Sequence, residues 1–386
     1  MRKEILENLN GYETVTGEIA AAQKYGTDYT AEKGVVADYV RRLHPDRLTL
    51  RVSRIIDETP STKTLRLTAS NTPLPPFLAG QYVALYLEID GIRTARPYSI
   101  SSAPNQTGYY DLTVRRVDNG LVSNHLLDAV AVGDLLESSG PAGQFYHNPI
   151  IHGRTMICIA GGSGITPIMS MIREIVDRGL DRHVVLFYGN RSLKDAIFHE
   201  ELLDIAQGCD RIDYVPVVEQ PGDDYSGQCG YITATAIQQR VGDIADKTFF
   251  ACGPQAMYDF CFPELEKLGV PRRRIRREMY GAPTQIWQHP GWPGSVGPQD
   301  RFTVTVAEDG TTFEAEAGQP LLVAMEKAGR PAPSLCRCGE CSLCRVKIVS
   351  GHVFQPPGVM VRASDRQFGY VHACMSYPIE DLTILW

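Results

Sequence analysis

The spacing of the cysteines near the C-terminus constrains the fold of this 386-residue chain more than any other feature. Five of the ten cysteines lie from residue 336 onward, four of them between Cys336 and Cys344 and the fifth at Cys374. No apolar run approaches the roughly eighteen residues of a membrane helix, and the first residues lack the apolar core of a signal peptide. We therefore expect a cytoplasmic protein, whose thiols stay reduced, and the clustering favours a metal site over disulfides.

Four of these cysteines follow the pattern C-x4-C-x2-C, then twenty-nine residues, then C, with Cys336, Cys341, Cys344 and Cys374 as the predicted ligands. This spacing is typical of a plant-type 2Fe-2S cluster, in which four thiolates from a tight loop hold two irons. A zinc site is the alternative, but only Cys341 and Cys344 form the C-x2-C pair that zinc sites usually repeat. Cys338 is a fifth thiol within the loop; its position favours a non-ligand, although exchange with a ligand stays open.

Composition excludes several other classes of protein. With 43% hydrophobic and 22% charged residues the chain has the make-up of a globular protein, and its length predicts two or three domains. A net charge of −7 argues against nucleic acid as the main partner. We expect neither nucleic-acid binding nor membrane insertion, and the oligomeric state stays open.

Changes in residue pattern along the chain predict five segments. Residues 1–45 are polar, carry short helical patterns and are predicted to form a helical extension. Residues 46–150 hold short period-two strands, which indicate an antiparallel β-barrel. In residues 151–281 strands alternate with helices, which predicts an α/β domain with a parallel sheet. Residues 282–299, with four prolines and two tryptophans, are predicted to be a linker, and residues 300–386 a third domain around the cysteines.

A phosphate- or flavin-binding motif lies on a predicted strand of the barrel. Arg96, Pro97, Tyr98 and Ser99 stand in sequence there. Arg96 and Ser99 have side chains suited to a phosphate or a flavin oxygen, and the Tyr98 ring is suited to stacking on an isoalloxazine. The same residues are also typical of a solvated strand edge, so this motif alone does not decide between the two interpretations.

A second motif strengthens the first. Gly120, Val122 and Ser123 lie in a glycine turn that opens a predicted helix. The N-terminal amides of a helix are suited to holding a pyrophosphate. A candidate pyrophosphate site near the first motif therefore strengthens its interpretation as a phosphate- or flavin-binding motif.

Two turns in residues 151–281 predict a nicotinamide nucleotide site. Residues 162–167 read GSGITP, a variant of the dinucleotide fingerprint in which proline replaces the last glycine, placed between an apolar strand and a helix. Residues 252–254 form a CGP turn before another helix, in which the cysteine is either a site residue or a core thiol. The residues predicted to bind the nucleotide in these turns are Gly162, Gly164, Thr166, Pro167, Cys252, Gly253 and Pro254.

The segment after the second strand of this domain bears on the choice between NADH and NADPH. Asn190 and Arg191 lie there, and Arg191 is able to pair with a 2′-phosphate. No second basic residue follows until Lys194, which favours NADH slightly because a 2′-phosphate is bound by basic side chains. The choice between NADH and NADPH stays open. We expect a helix over residues 194–206.

The cysteine loop resembles that of plant-type ferredoxins, which implies a β-grasp fold for residues 300–386. The flavin motifs, the nucleotide turns and the cysteine loop together, over residues 46–386, resemble the ferredoxin-NADP reductase superfamily. They resemble most its one-chain reductases, which include phthalate dioxygenase reductase and the reductase subunit of phenylacetyl-CoA epoxidase. The resemblance implies that Arg96, Tyr98, Ser99 and Ser123 contact flavin and that Cys252 lies near the nicotinamide. The segment from residue 116 to residue 126 is nearer to the FAD-using members than to the FMN-using member.

This resemblance implies an NAD(P)H-dependent reductase that serves a separate terminal oxygenase or another redox enzyme. NAD(P)H gives two electrons as a hydride and the cluster accepts one at a time, so FAD stands between them. Cys252 and Tyr98 are the residues expected nearest the chemistry, with Glu278 and Tyr280 as further candidates close to the flavin. The alternatives are a self-sufficient diaphorase, a subunit similar to the electron-transfer part of dihydroorotate dehydrogenase, and a redox-sensing interaction protein. In that subunit the last cysteine follows sooner than it does here.

Overall fold

The computed structural model describes residues 11–26, 34–43, 45–70, 73–222 and 225–386. The chain divides into two units, one ending at Asp46 and the other covering Arg47–Trp386. Among the described helices there is none that combines the length and the apolar character needed to cross a bilayer.

The first unit contains two described helices, α1 (Tyr12–Tyr25) and α2 (Val35–Leu43). Tyrosines at helical spacing favour packing of residues 1–45 as a core element, yet neither helix buries any of its residues. The helical pattern near Glu4 lies outside the described residues. Packing of residues 1–45 on the barrel, with docking of a partner as the alternative, stays a prediction.

The second unit begins with an antiparallel sheet whose strands alternate between buried and exposed residues, as in β1, where Leu48, Leu50 and Val52 point inward. The strand order is β4-β3-β6-β1-β2-β5, and a bridge between Ile100 and Leu112 closes β4 onto β5, so the sheet forms a barrel. Its elements are β1 (Leu48–Thr59), β2 (Thr62–Ala69), β3 (Tyr82–Ile89), β4 (Ile92–Ser99), β5 (Tyr110–Arg115), α3 (Leu121–Asp128) and β6 (Leu135–Ser138).

A parallel sheet of order β10-β9-β8-β7-β11-β12 follows. The central strand β7 is almost wholly buried, which explains its apolar sequence. Strand order reverses between β7 and β11, which are neighbours in the sheet. The elements are β7 (Thr155–Gly161), α4 (Ile165–Arg178), β8 (His183–Asn190), α5 (His199–Gly208), β9 (Ile212–Val218), β10 (Gln228–Cys229), α6 (Ala234–Val241), β11 (Thr248–Cys252), α7 (Gln255–Lys267) and β12 (Ile275–Glu278).

The last part of the chain is a mixed sheet of order β14-β13-β19-β15-β17 with a helix packed on it. Leu321, Leu322 and Met325 of that helix, α8, enter the core of this domain, which gives the β-grasp arrangement. The elements are β13 (Arg301–Val306), β14 (Thr312–Glu316), α8 (Leu321–Lys327), β15 (Arg345–Ser350), β16 (Val353–Phe354), α9 (Ala363–Gln367), β17 (Tyr370–His372), β18 (Tyr377–Pro378) and β19 (Leu382–Leu385). Barrel, parallel sheet and β-grasp domain are the three predicted architectures.

Candidate functional site

The motif at residues 96–99 forms the C-terminal end of β4. Pro97 pairs with β3, and Tyr98 packs against the barrel core. The buried Ser99 hydroxyl lies 3.1 Å from the hydroxyl of Tyr280, which follows β12. The motif is therefore more than a solvated strand edge, because it contacts a residue outside the barrel.

Arg96 lies beside two charged residues of the β-grasp domain. Its Nη1 is 3.8 Å from Oε2 of Glu326, while Arg337 makes two hydrogen bonds to the same carboxylate. Burial and the Arg337 guanidinium lower the pKa of Arg96 to about 10, which leaves Arg96 protonated at neutral pH. Two guanidinium groups thus share one carboxylate, and the excess positive charge fits a phosphate or diphosphate ligand.

The start of α3 holds the second predicted flavin motif. Gly120 precedes the first residue of the helix, and Val122 and Ser123 are buried in its first turn. The Ser123 hydroxyl accepts a hydrogen bond from the Val117 N–H at 3.2 Å. The first N–H groups of a helix lack intrahelical acceptors, so this end is suited to an anion. A cavity of about 820 Å³ lies between β3, β4, α3 and residues 331–334.

The two predicted nucleotide turns meet at the carboxyl ends of β7 and β11. Gly162–Gly164 forms a short 3-10 turn, and Thr166 and Pro167 are buried in the first turn of α4. A Cβ atom on Gly164 would lie 1.9 Å from the carbonyl oxygen of Cys252, so only glycine permits this approach. A reversal of strand order is where open α/β sheets bind nucleotides.

Tyr280 connects the barrel to these turns. Its hydroxyl lies 3.1 Å from Ser99 Oγ and 3.0 Å from Thr166 Oγ1, and its third partner is the Cys252 thiol. The residue is 39% exposed, yet its hydroxyl points inward. Cys252 is fully buried, and burial raises the pKa of its thiol well above the usual value, so it is a neutral thiol at physiological pH.

A cavity of about 370 Å³ opens where the two turns meet. Its walls include Gly162, Gly253, Pro254 and Tyr280, together with Arg115 from the end of β5. The sequence offers no signal for Arg115, since a basic residue at a strand end is common and its proximity to Gly162 is a tertiary contact.

A neighbouring cavity of about 280 Å³ contains the predicted pair Asn190 and Arg191. Oδ1 of Asn190 is buried and has no hydrogen-bond partner within the described part of the chain. This oxygen is therefore suited to accept a hydrogen bond from a bound ligand. Glu219, for which the sequence gives no signal, and Arg115 lie in the same wall. This cavity therefore combines two basic side chains and one acidic side chain.

The four predicted cluster ligands lie close together. Cys336 is next to Cys338 and Cys341, and Cys344 is next to Cys374. Cys374 is brought to the loop by the 3-10 turn Ala373–Met375. Three loop residues have positive φ, and a Cβ atom on one of them, Gly339, would lie 2.9 Å from Met375. The loop therefore folds back tightly on itself.

These four cysteines fit a two-iron cluster better than one metal ion. Among the described residues, no three histidine, cysteine or carboxylate side chains converge to hold a single ion. A 2Fe-2S cluster needs four thiolates, which the loop and Cys374 together would supply. Backbone N–H groups of Glu340 and Cys341 donate to Cys336 Sγ at 3.4 and 3.3 Å, an arrangement that stabilises a thiolate.

Cys338 is buried next to Cys336 and hydrogen-bonded to it. Both sulfur side chains pack with Tyr82 of β3. The loop thus lies against the barrel, and the assignment of Cys338 as a non-ligand stays a prediction.

Comparison with protein families gives three matches along the chain. Residues 49–147 match a family described as oxidoreductase FAD-binding domain, residues 158–262 one described as oxidoreductase NAD-binding domain, and residues 304–378 one described as 2Fe-2S iron-sulfur cluster binding domain. The three matches follow the order predicted for the flavin, nicotinamide and ferredoxin domains.

Similar proteins cover nearly the whole chain. The glycine betaine monooxygenase reductase subunit of Pseudomonas aeruginosa is 30% identical over 350 residues, which are 87% of this chain and 94% of that protein. NADH oxidoreductase HCR of Escherichia coli is 30% identical over 335 residues, 87% and 96% of the two chains. The solved structure of phthalate dioxygenase reductase, 24% identical, superimposes with a TM-score of 0.67 over 88% of this chain and 98% of its own.

Proposed function

Since the chain belongs to the ferredoxin-NADP reductase superfamily, in the branch with a C-terminal 2Fe-2S ferredoxin domain, we propose that it supplies electrons to a separate terminal oxygenase. It is an NAD(P)H-dependent reductase that passes electrons through FAD and a 2Fe-2S cluster to an electron-accepting enzyme. The observation that carries the site assignment is the meeting of Ser99 and Thr166 at the Tyr280 hydroxyl. An oxygenase as acceptor is supported by the relative named a monooxygenase reductase subunit. A cytoplasmic location stays a prediction.

When bound, the flavin would take two electrons from NAD(P)H and pass single electrons to the cluster. Arg96 and the start of α3 would provide positive charge and free N–H groups for the diphosphate of FAD. Tyr98 and Ser99 would orient the flavin ring. The segment from residue 116 to residue 126, which resembles the FAD-using members, supports FAD over FMN.

The residues around the nicotinamide position act by orientation and not by proton transfer. Burial raises the pKa of both Cys252 and Tyr280 well above their usual values, so each stays protonated at neutral pH. A hydride donor needs no general base on the protein, because no proton leaves the reacting carbon. Cys252 and Tyr280 therefore form part of the wall of the nicotinamide site and add no charge to it.

We propose NADH as the preferred donor. In the smaller cavity Arg115 and Arg191 would attract a 2′-phosphate and Glu219 would repel it, so these charges alone do not set the preference. NADH is supported by the relative that is named NADH oxidoreductase HCR.

The function is tested on protein purified without oxygen. We expect one FAD, two irons and two sulfides per chain, and reduction of cytochrome c by NADH. Release of FMN would contradict the flavin assignment, and zinc without sulfide would contradict the cluster. A protein that holds both groups but reduces no artificial acceptor would indicate a redox sensor.

A further inference from the structure

Glu326 is a buried carboxylate that joins the cysteine loop to the strand carrying the flavin motif. It lies in the last turn of α8 and is 3% exposed. Arg337 of the loop donates to both carboxylate oxygens, with Nη2 3.1 Å from Oε2. From the other side the Thr94 hydroxyl of β4 donates to Oε1 at 3.0 Å.

Both ends of this link lie next to residues assigned to the prosthetic groups. Arg337 directly follows Cys336 and has a φ of 56°, in the left-handed region that non-glycine residues seldom adopt. Thr94 stands two positions before Arg96 and accepts a hydrogen bond from its guanidinium. Side-chain contacts therefore run without a gap from the neighbour of a cluster ligand to the flavin arginine.

Packing alone does not explain a charged link at this place. Removing a carboxylate and a guanidinium from water is costly, and apolar residues of similar volume often stabilise a contact as well or better. A two-point arginine-carboxylate pair supplies a defined distance and orientation, which an apolar contact does not. The barrel and the β-grasp domain have separate main cores, and at the loop they also meet in the small apolar cluster of Tyr82, Cys336 and Cys338.

We propose that Glu326 is a positioning residue for electron transfer from flavin to cluster. Acting through Arg337 and Thr94, it fixes the separation between the cysteine loop and the flavin-binding strand. Its carboxylate also offsets one of the two guanidinium charges near the flavin. This role rests on the proposed function, since it takes Arg96 as a flavin ligand and Cys336 as a cluster ligand.

The first test compares Glu326→Gln with Glu314→Gln, which removes the same charge from an exposed position of the same domain. Anaerobic stopped-flow mixing with NADH separates flavin reduction from cluster reduction by absorbance. In Glu326→Gln we expect transfer from flavin to cluster to slow by about tenfold or more relative to flavin reduction. The flavin potential should become more positive, because a nearby negative charge is lost. Glu314→Gln should match the parent protein in both measurements.

A second pair of variants tests the link without changing charge. Thr94→Val removes the hydroxyl and should slow transfer to the cluster with little change in flavin potential, and Thr94→Ser should restore the rate. If Glu326→Gln fails to fold, the comparison of Thr94→Val with Thr94→Ser tests the positioning role of Glu326 by itself.

The role of Glu326 is overturned if Glu326→Gln lowers only the melting temperature and leaves the ratio of the two rates unchanged. It is equally overturned if Thr94→Ser is as slow as Thr94→Val. A parent protein whose cluster is not reduced by NADH would contradict the proposed function instead, and that measurement precedes the variants.

Discussion

The Tyr280 hydroxyl has partners from three separate parts of the chain, so removing it tests the candidate site with one atom. Tyr280→Phe keeps the ring but leaves the Ser99 and Thr166 hydroxyls without this partner. A lost hydrogen bond is worth about 0.5–1.5 kcal/mol. We expect kcat/KM for NADH to fall by about two- to tenfold in steady-state assays with ferricyanide. Tyr109→Phe, on the barrel surface, is the matched control, and an equal loss in both variants would argue against the site.

The cluster assignment is tested by two neighbouring cysteines. Cys341→Ser should lose the 2Fe-2S absorbance and the reduction of cytochrome c while NADH still reduces the flavin, because the two steps use different domains. Cys338→Ser, a buried neighbour with the same chemistry, should keep the cluster. If Cys338→Ser loses the cluster and Cys341→Ser keeps it, the ligand set is wrong.

Nucleotide preference is tested at Glu219. Glu219→Gln removes the carboxylate from the cavity that contains Arg191, and we expect the NADPH-to-NADH ratio of kcat/KM to rise by about tenfold. Glu200→Gln, an exposed acid on α5, changes net charge equally and should leave the ratio unchanged. A ratio that rises equally in both variants would show a general effect of charge.

These residues also show how far the sequence alone reaches. The cysteine loop and the nucleotide turns are local sequence patterns. Their spacing therefore predicts the roles of Cys336, Cys341 and Gly164. The hydrogen bonds of Tyr280 to Ser99 and Thr166 span 181 and 114 residues, and that of Glu326 to Thr94 spans 232. No local pattern encodes such contacts, because each depends on how the domains pack.

At the scale of elements, one boundary differs from the prediction for a clear physical reason. A helix is expected over residues 194–206, but the structure has a 3-10 turn at Leu193–Asp195 and α5 from His199. Phe198 has a φ of 62°, which interrupts helical geometry, and its side chain is buried in the core of the parallel sheet. Tertiary burial of one aromatic residue thus moves the start of the helix.

The N-terminal helices give a prediction about stability. If residues 1–45 pack on the barrel as predicted, their deletion should lower the melting temperature and the activity together, because buried apolar side chains are lost. Arg47, whose guanidinium lies 3.2 Å from the centroid of the Tyr86 ring, is retained in this variant. Thermal unfolding and ferricyanide reduction are the measurements. An unchanged melting temperature would contradict packing.

At the scale of the whole second unit, the domains are joined by both polar and apolar contacts. The barrel is tied to the parallel sheet by Arg173, which donates to the Ser101 carbonyl at 2.8 Å, and by Ser170, which donates to the Ser102 carbonyl at 2.7 Å. The β-grasp domain is tied to the barrel through Glu326 and Thr94. Apolar contacts join the domains as well, since Phe145 packs in the core of the parallel sheet and Tyr82 packs with Cys336 and Cys338. A change in one sheet should therefore reach another through these polar and apolar contacts together.

Removing the cluster tests this organisation. Without iron and sulfide, the four thiols no longer hold a loop in which Arg337, Gly339 and Ser342 all have positive φ. Hydrogen-deuterium exchange should then show lost protection in residues 335–344 and 370–375, a smaller loss in β4, and none in β7 and β11. The gradient is expected because β4 contacts the loop through the Glu326 link, whereas the parallel sheet is covered by its own core on both faces. Equal loss of protection in all three sheets would show that the unit unfolds cooperatively and that the cluster stabilises the whole of it.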